Sequence, residues 1–308
     1  MKTRKHAILG ILLLLVTACS NNSPATTSTE SSESMGNNLN KVQVVVLAGQ
    51  SNMEGQSWIR FLSKHFAEDV VQQSINGFDG VLINYDSNRH SNHSGGEFVK
   101  TKVGQGTTSE QFGPEVGLAE QLSGLTLDDG PVYLVKYAVG ATSLYNNWAS
   151  PSSGRTGDCY AGLVSHVNAS IAKLENLDLY PEIKAICFMQ GEDDSNSSQA
   201  ENYGANLRHF ISDLRSEFGY YASSKGIGFI DAGISNSSAW AQYQTINAQK
   251  QEVANEDENN VYVDTIANKL EFMNEPTIGG DIYHFDSASE IKLGHLFASA
   301  LLDSDFVR

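Results

Sequence analysis

Residues 42–53 read Val42-Gln43-Val44-Val45-Val46-Leu47-Ala48-Gly49-Gln50-Ser51-Asn52-Met53. Apart from Gln43, the run up to Ala48 is aliphatic and rich in β-branched side chains. It lacks the polar alternation of a half-exposed strand, so it reads as a parallel strand buried on both faces. The run ends at Gly49 and places a hydroxyl, Ser51, just past the strand. Met53 stands where the Gly-x-Ser-x-Gly nucleophile elbow requires its last glycine, so this is not that elbow. No Gly-Lys-Ser/Thr follows, so it is not a phosphate loop. Taken alone, Ser51 reads as a helix N-cap.

Working outward, similar apolar runs occur at 81–85, 132–139, 183–189, 228–230 and 261–264. Between them, Leu163, Val167, Ile171 and Leu174 keep helical spacing, as do Leu207, Phe210, Ile211, Leu214 and Phe218; a last helical segment covers 291–302. Strands alternating with helices predict α/β architecture, a three-layer α/β/α sandwich in which helices cover both faces of a central parallel sheet. In such folds ligands bind beyond the carboxyl ends of the strands.

Two more strand ends and one loop near the C-terminus carry residues of chemical interest. Gly140 follows the 132–139 run, where a residue without a side chain either aims its N–H at an anion or simply turns the chain. Gln190-Gly191-Glu192-Asp193-Asp194 follows 183–189: Gln190 has an amide to donate, and the acids read as a solvated turn or cap. No metal and no cofactor are expected. Near the C-terminus, Asp281 and His284 have the spacing at which a carboxylate fixes the tautomer of a neighbouring imidazole base. His90 and His93 lie in a Ser/Asn/Gly-rich loop and read as solvent-exposed.

The 308 residues hold 20 basic and 36 acidic side chains, a formal charge of −16, with 40% hydrophobic and 18% charged residues. That composition is globular, and the acidic balance excludes a nucleic-acid partner, whose phosphates need clustered Lys and Arg. Lys2, Arg4 and Lys5 precede a short apolar stretch ending in Val16-Thr17-Ala18-Cys19, which resembles a lipoprotein lipobox. The sequence therefore predicts a signal peptide over 1–18, a lipidated Cys19 opening a polar tether over 19–40, and one folded domain over 41–308. Loss of the three n-region cations takes the charge from −16 to −19. The expected location is the cell envelope, lipid-anchored, with Ser20 favouring an outer membrane where the host has one. Cys159 and Cys187 fall toward one edge of the sheet, which leaves a disulfide between them open.

Four blocks in order carry a family resemblance: Gly49-Gln50-Ser51-Asn52-Met53, Val135-Lys136-Tyr137-Ala138-Val139-Gly140, Gln190-Gly191-Glu192 and Asp281-x-x-His284. Together with Phe112-Gly113-Pro114-Glu115 they resemble the SGNH hydrolases, in the branch of sialate O-acetylesterases and the sixth carbohydrate esterase family. The resemblance implies a flavodoxin-like parallel sheet of about five strands and a serine esterase that removes O-acetyl groups from carbohydrate. It implies Ser51 as nucleophile, His284 as base and Asp281 as its orienting carboxylate. The oxyanion donors it implies are the N–H groups of Ser51 and Gly140 and the Gln190 amide, with Gln50, Asn52 and Glu192 in support. Two departures stand out: Ala141 replaces a second glycine after Gly140, and Phe188 stands where Trp is common, which bears on the acyl or sugar pocket. The partner expected is an acetylated carbohydrate, with neutral polymers such as acetylxylan favoured over sialate because like charges repel. A thioesterase or lipase acting on longer acyl chains, and a non-catalytic glycan-binding lipoprotein, are the alternatives.

Overall fold

In the computed structural model, strand β1 (Asn40–Gly49) is buried from Val42 to its end, as its unbroken apolar run requires. The structure describes residues 40–307 except 88, 124, 126–129, 273–274 and 276–279; the predicted signal peptide, Cys19 and nearly all of the tether lie outside the described residues. Further strands are β2 (Ser57–Trp58), β3 (Val81–Asp86), β4 (Val99–Lys100), β5 (Gln111–Phe112), β6 (Val132–Ala138), β7 (Leu179–Met189), β8 (Gly228–Ala232) and β9 (Asn260–Val263). Helices are α1 (Ser51–Glu54), α2 (Leu62–His65), α3 (Glu68–Asn76), α4 (Glu115–Ser123), α5 (Asp158–Glu175), α6 (Glu192–Ser195), α7 (Tyr203–Glu217), α8 (Tyr243–Ala254) and α9 (Ser287–Asp303). All six apolar runs of the sequence are strands.

The main sheet runs β4-β3-β6-β1-β7-β8-β9, parallel throughout except for β4. Its core, β6-β1-β7-β8-β9, has the flavodoxin-like order 2-1-3-4-5. β3 and the antiparallel β4 widen it beyond the five strands expected. Two exposed residues make up β4, too little apolar pattern to announce a strand. From β1 the chain builds one half of the sheet and then crosses to β7 on β1's other side. The carboxyl end of β1 is thus the switch point at which this fold opens a crevice.

Helices cover both faces, as strand parity shows. Adjacent residues of a strand point to opposite faces. Lys136 of β6 pairs with Glu115 of α4 at 2.8 Å, whereas Tyr137 packs against His166 of α5. On the α4 face, α9 approaches so closely that a Cβ at Gly117 would lie 2.0 Å from Ile291 O. On the other face, Phe188 packs against Phe210 of α7 at 4.9 Å and against Trp148 at 6.0 Å. Phe188 therefore fills the core and does not shape a substrate pocket. Cys159 and Cys187 are buried free thiols, so no disulfide joins them.

Candidate active site

Gly49 decides the turn that presents Ser51. Its φ of +146° and the 2.0 Å gap a Cβ would leave to Met189 O admit glycine alone. The turn is stitched to both neighbouring strands: Val139 N donates to Gly49 O, and Gln50 N donates to Met189 O, each at 2.9 Å. Ser51 is the first residue of α1, and the cap position falls to Gln50, so Ser51 is not the N-cap its local sequence suggests. Its side chain points into a cavity of ≈ 450 Å³ also lined by Gln50, Gly140, Asp193, Trp240 and His284. The residue is 8% exposed, largely shielded yet open to the cavity.

Opposite it, His284 Nδ1 donates to Asp281 Oδ2 at 2.7 Å. This bond fixes the tautomer, leaving Nε2 free to accept a proton from the cleft. Burial works against the Asp281 carboxylate. The hydrogen bond and charge of His284 and the N–H groups of Tyr283 and His284 outweigh it, so its pKa lies below the usual carboxylate value. Ser51 Oγ and His284 share the cleft without a hydrogen bond between them, a common state of a nucleophile–base pair before substrate arrives.

What places His284 opposite Ser51 is Asn52. Its Oδ1 accepts from Phe285 N at 3.1 Å, and its Nδ2 donates to Glu192 Oε1 at 2.9 Å. Ser57 Oγ donates to Phe285 O at 2.8 Å, so the residue after His284 is gripped from both sides. Asp286 then caps α9 by accepting from Ser289 N at 2.8 Å. Three of the sequence blocks thus meet through one side chain.

The Gln190–Asp194 turn differs from its expectation. Glu192 and Asp194 are buried, not solvated, and burial raises the pKa of both. Gln190 Nε2 donates to Asp194 Oδ2 at 2.7 Å, Thr142 O at 2.9 Å and Gln50 Oε1 at 3.3 Å, while Tyr203 OH donates to its Oε1. Asp194 in turn accepts from Leu144 N at 2.7 Å and Tyr145 N at 3.1 Å. The Gln190 amide is therefore spent on the loop after β6 and does not reach the cleft as an oxyanion donor. It orients Gln50 instead: with Gln50 Oε1 held from behind, the Gln50 amide N–H₂ has no partner among the described residues.

Gly140 lines the cleft as expected, but its N–H donates to Glu54 Oε2 at 3.2 Å. Glu54 also receives His90 Nε2 at 2.9 Å, so His90 sits against the site and is not the solvent-exposed residue its loop composition suggests. No local pattern foretold that pair. Ala141 adopts φ +53°, the left-handed conformation that the usual second glycine adopts without strain. The acids nearby assemble no cluster of three metal-ligating side chains among the described residues.

With this geometry in place, comparisons with known proteins give a consistent answer. A family model described as "Carbohydrate esterase, sialic acid-specific acetylesterase" matches residues 41–303. Among solved structures, a protein of Arabidopsis thaliana superposes with TM-score 0.60 at 18% identity, covering 85% of this chain and 98% of that one. NanS gives 0.58 at 16% identity, with 85% and 97% covered. A carbohydrate acetylesterase from Xanthomonas citri gives 0.55 at 18% identity, with 84% of this chain and 55% of that one covered. At these identities the likenesses establish the shared fold. No match to a curated protein sequence was found.

Proposed function

From the premise that this chain belongs to the carbohydrate esterase, sialic acid-specific acetylesterase family, and is thereby a carboxylic ester hydrolase, we propose that Ser51 hydrolyses O-acetyl esters of carbohydrate through an acyl-enzyme. The observation that carries this reading is the shared cleft: a shielded serine hydroxyl and an imidazole whose far nitrogen is fixed by a carboxylate line one cavity. A serine hydroxyl is a weak nucleophile, so His284 Nε2 takes its proton as Oγ attacks the acetyl carbonyl. Asp281 holds the resulting imidazolium, and His284 returns the proton to the departing sugar oxygen. Water, activated by the same imidazole, then releases acetate.

The developing oxyanion is received by the Ser51 N–H, which makes no backbone hydrogen bond among the described residues, and by the Gln50 amide. Loss of one such donor costs about 10²–10³ in rate, and Gln50→Ala is expected to show it. None of these steps needs a metal, so EDTA leaves the rate unchanged. Ser51→Ala loses at least ~10³-fold in kcat, and Ser51→Ala with His284→Ala loses little more, because the two act as a unit. The decisive experiment is labelling with an organophosphonate followed by peptide mapping. An active enzyme modified anywhere other than Ser51 overturns the mechanism, and a p-nitrophenyl ester series that favours long acyl chains overturns the acetyl preference.

We also propose that the protein is exported and anchored through a multiply acylated Cys19, since a single acyl chain binds membranes only marginally. The support is the order of basic residues, apolar stretch and Cys in the sequence. Cys19→Ala protein that stays with membranes as fully as the wild type refutes the anchor.

A further inference from the structure

The geometry points to Trp240, Tyr283 and Asp193 as the subsite for the sugar that carries the ester, and to an uncharged sugar as its occupant; this rests on the esterase reading above. All three residues line the cavity that holds Ser51 and His284. Tyr283 is 51% exposed, an unusual position for so large a ring, and it is the residue immediately before the base. Its ring meets Trp240 at 5.6 Å and 61°, so the two form one edge-to-face aromatic corner beside the imidazole. The face of an aromatic ring is apolar and electron-rich, and it suits the C–H face of a pyranose. Trp240 is half-buried at this corner, so part of its indole is held by the protein while the residue still borders the cavity. Asp193, exposed at the same cavity, is an acceptor for sugar hydroxyls.

Two separate segments supply this corner's Trp240 and its carboxylate, and they are locked together. Asn196 Nδ2 donates to Ala239 O at 2.8 Å, and Ala241 N donates to Asn196 Oδ1 at 2.9 Å. Gln242 N adds a bond to Ser195 O at 3.1 Å. The backbone on either side of Trp240 is thus pinned to the turn that follows α6, the helix that carries Asp193. Such a platform is ordered before ligand arrives, which lowers the cost of binding.

Charge selects among sugars. Asp193 brings a negative charge into the cavity, and among the described residues no Lys or Arg lines it. Arg89 does reach the rim, where Nη1 donates to Gly140 O at 3.3 Å, but Nη2 lies 3.6 Å from the Asp158 carboxylate, which compensates its charge. A sugar acid would therefore meet Asp193 without a lining cation to pair with, inside a protein whose formal charge is −16. The description of the family model names sialic acid; the cleft of this chain fits a neutral acetylated pyranose better.

The test compares three esters: acetylated xylo-oligosaccharide, O-acetyl sialic acid and methyl acetate, which has no ring to stack. Wild type is expected to show higher kcat/KM on the xylo-oligosaccharide than on the sialate. Trp240→Ala is expected to lose about 10-fold or more on the xylo-oligosaccharide and several-fold less than that on methyl acetate, with Trp240→Phe restoring most of the loss. Asp193→Asn is expected to narrow the gap between the neutral and anionic esters. In the Ser51→Ala background, calorimetric affinity for the acetylated oligosaccharide should fall by a similar factor on Trp240→Ala. Higher activity on the sialate, or equal losses on all three esters, overturns the subsite. Turnover of none of the esters with Trp240-dependent binding intact overturns the esterase reading and leaves the subsite standing.

Discussion

Two turns of similar length, 190–194 and 281–284, both hold carboxylates near Ser51, and they do opposite work. In the first, Gln190, Glu192 and Asp194 are buried and each hydrogen-bonds another part of the chain. In the second, Asp281 and His284 are half-buried, and the imidazole keeps one nitrogen for the cleft. Burial raises the pKa of Glu192 and Asp194, whereas pairing with His284 holds Asp281 low. A carboxylate that holds loops is thus distinguished from one that supports chemistry by what surrounds it and not by residue type.

The largest expected effect lies in the accessible turn. His284→Ala should lower kcat at least ~10³-fold while leaving the urea midpoint nearly unchanged, because the imidazole is a partner to one carboxylate and carries no core packing. A comparable loss of stability would erase the distinction between the turns. Asp194→Ala should do the reverse. It leaves the N–H groups of Leu144 and Tyr145 without their acceptor and takes one of three acceptors from the Gln190 amide, at a cost of about 3 kcal/mol by denaturant titration. Unchanged stability there would show that the turn does not hold the loop after β6.

Asn52 bridges the two turns, so Asn52→Ala should show both signatures in smaller measure. The expected loss is about 1–2 kcal/mol in stability, as Glu192 loses its Asn52 hydrogen bond, together with a fall in kcat as Phe285 is released. Adding Glu192→Gln should recover part of the stability, since a neutral amide is less costly to bury, and none of the activity. Recovery of activity would mean that Asn52 acts through Glu192 and not through the His284 loop.

Acidity separates the turns by sign. Asp281, depressed in the folded protein, contributes stability that is present above its unfolded pKa near ~3.9 and is lost as pH falls through its lower folded value. Glu192, raised by burial, favours the folded state only while protonated, so its contribution declines as pH rises above ~4.3 toward its folded value. Urea midpoints between pH 3 and 7 should show Asp281→Asn flattening the acid limb and Glu192→Gln flattening the decline above it. Identical profiles for the two variants would contradict the opposed shifts. The smallest effect is expected from Ala141→Gly, which relieves a left-handed alanine but loosens the unfolded chain. The net change should be a gain below about 1 kcal/mol, read as a small rise in the urea midpoint.

Six parallel strands, the helices with regular apolar spacing and the places of Ser51, Gly140, Asp281 and His284 at strand ends and loops were legible in the chain before it folds. These features are local: continuous apolar runs, helical spacing and glycine-dependent turns are written within a few residues. Short β4 and the polar helices α3 and α8 were not legible, because their contacts and not their own apolar pattern secure them. Only the tertiary structure decided which polar residues react and which hold. Asn52 meets Glu192 across 140 positions and Phe285 across 233, and Glu54 meets His90 from a different loop. Whether an amide such as Gln190 faces the cleft or the core depends on such distant neighbours. Burial and hydrogen-bond satisfaction are properties of the assembled chain, and no window of sequence contains them.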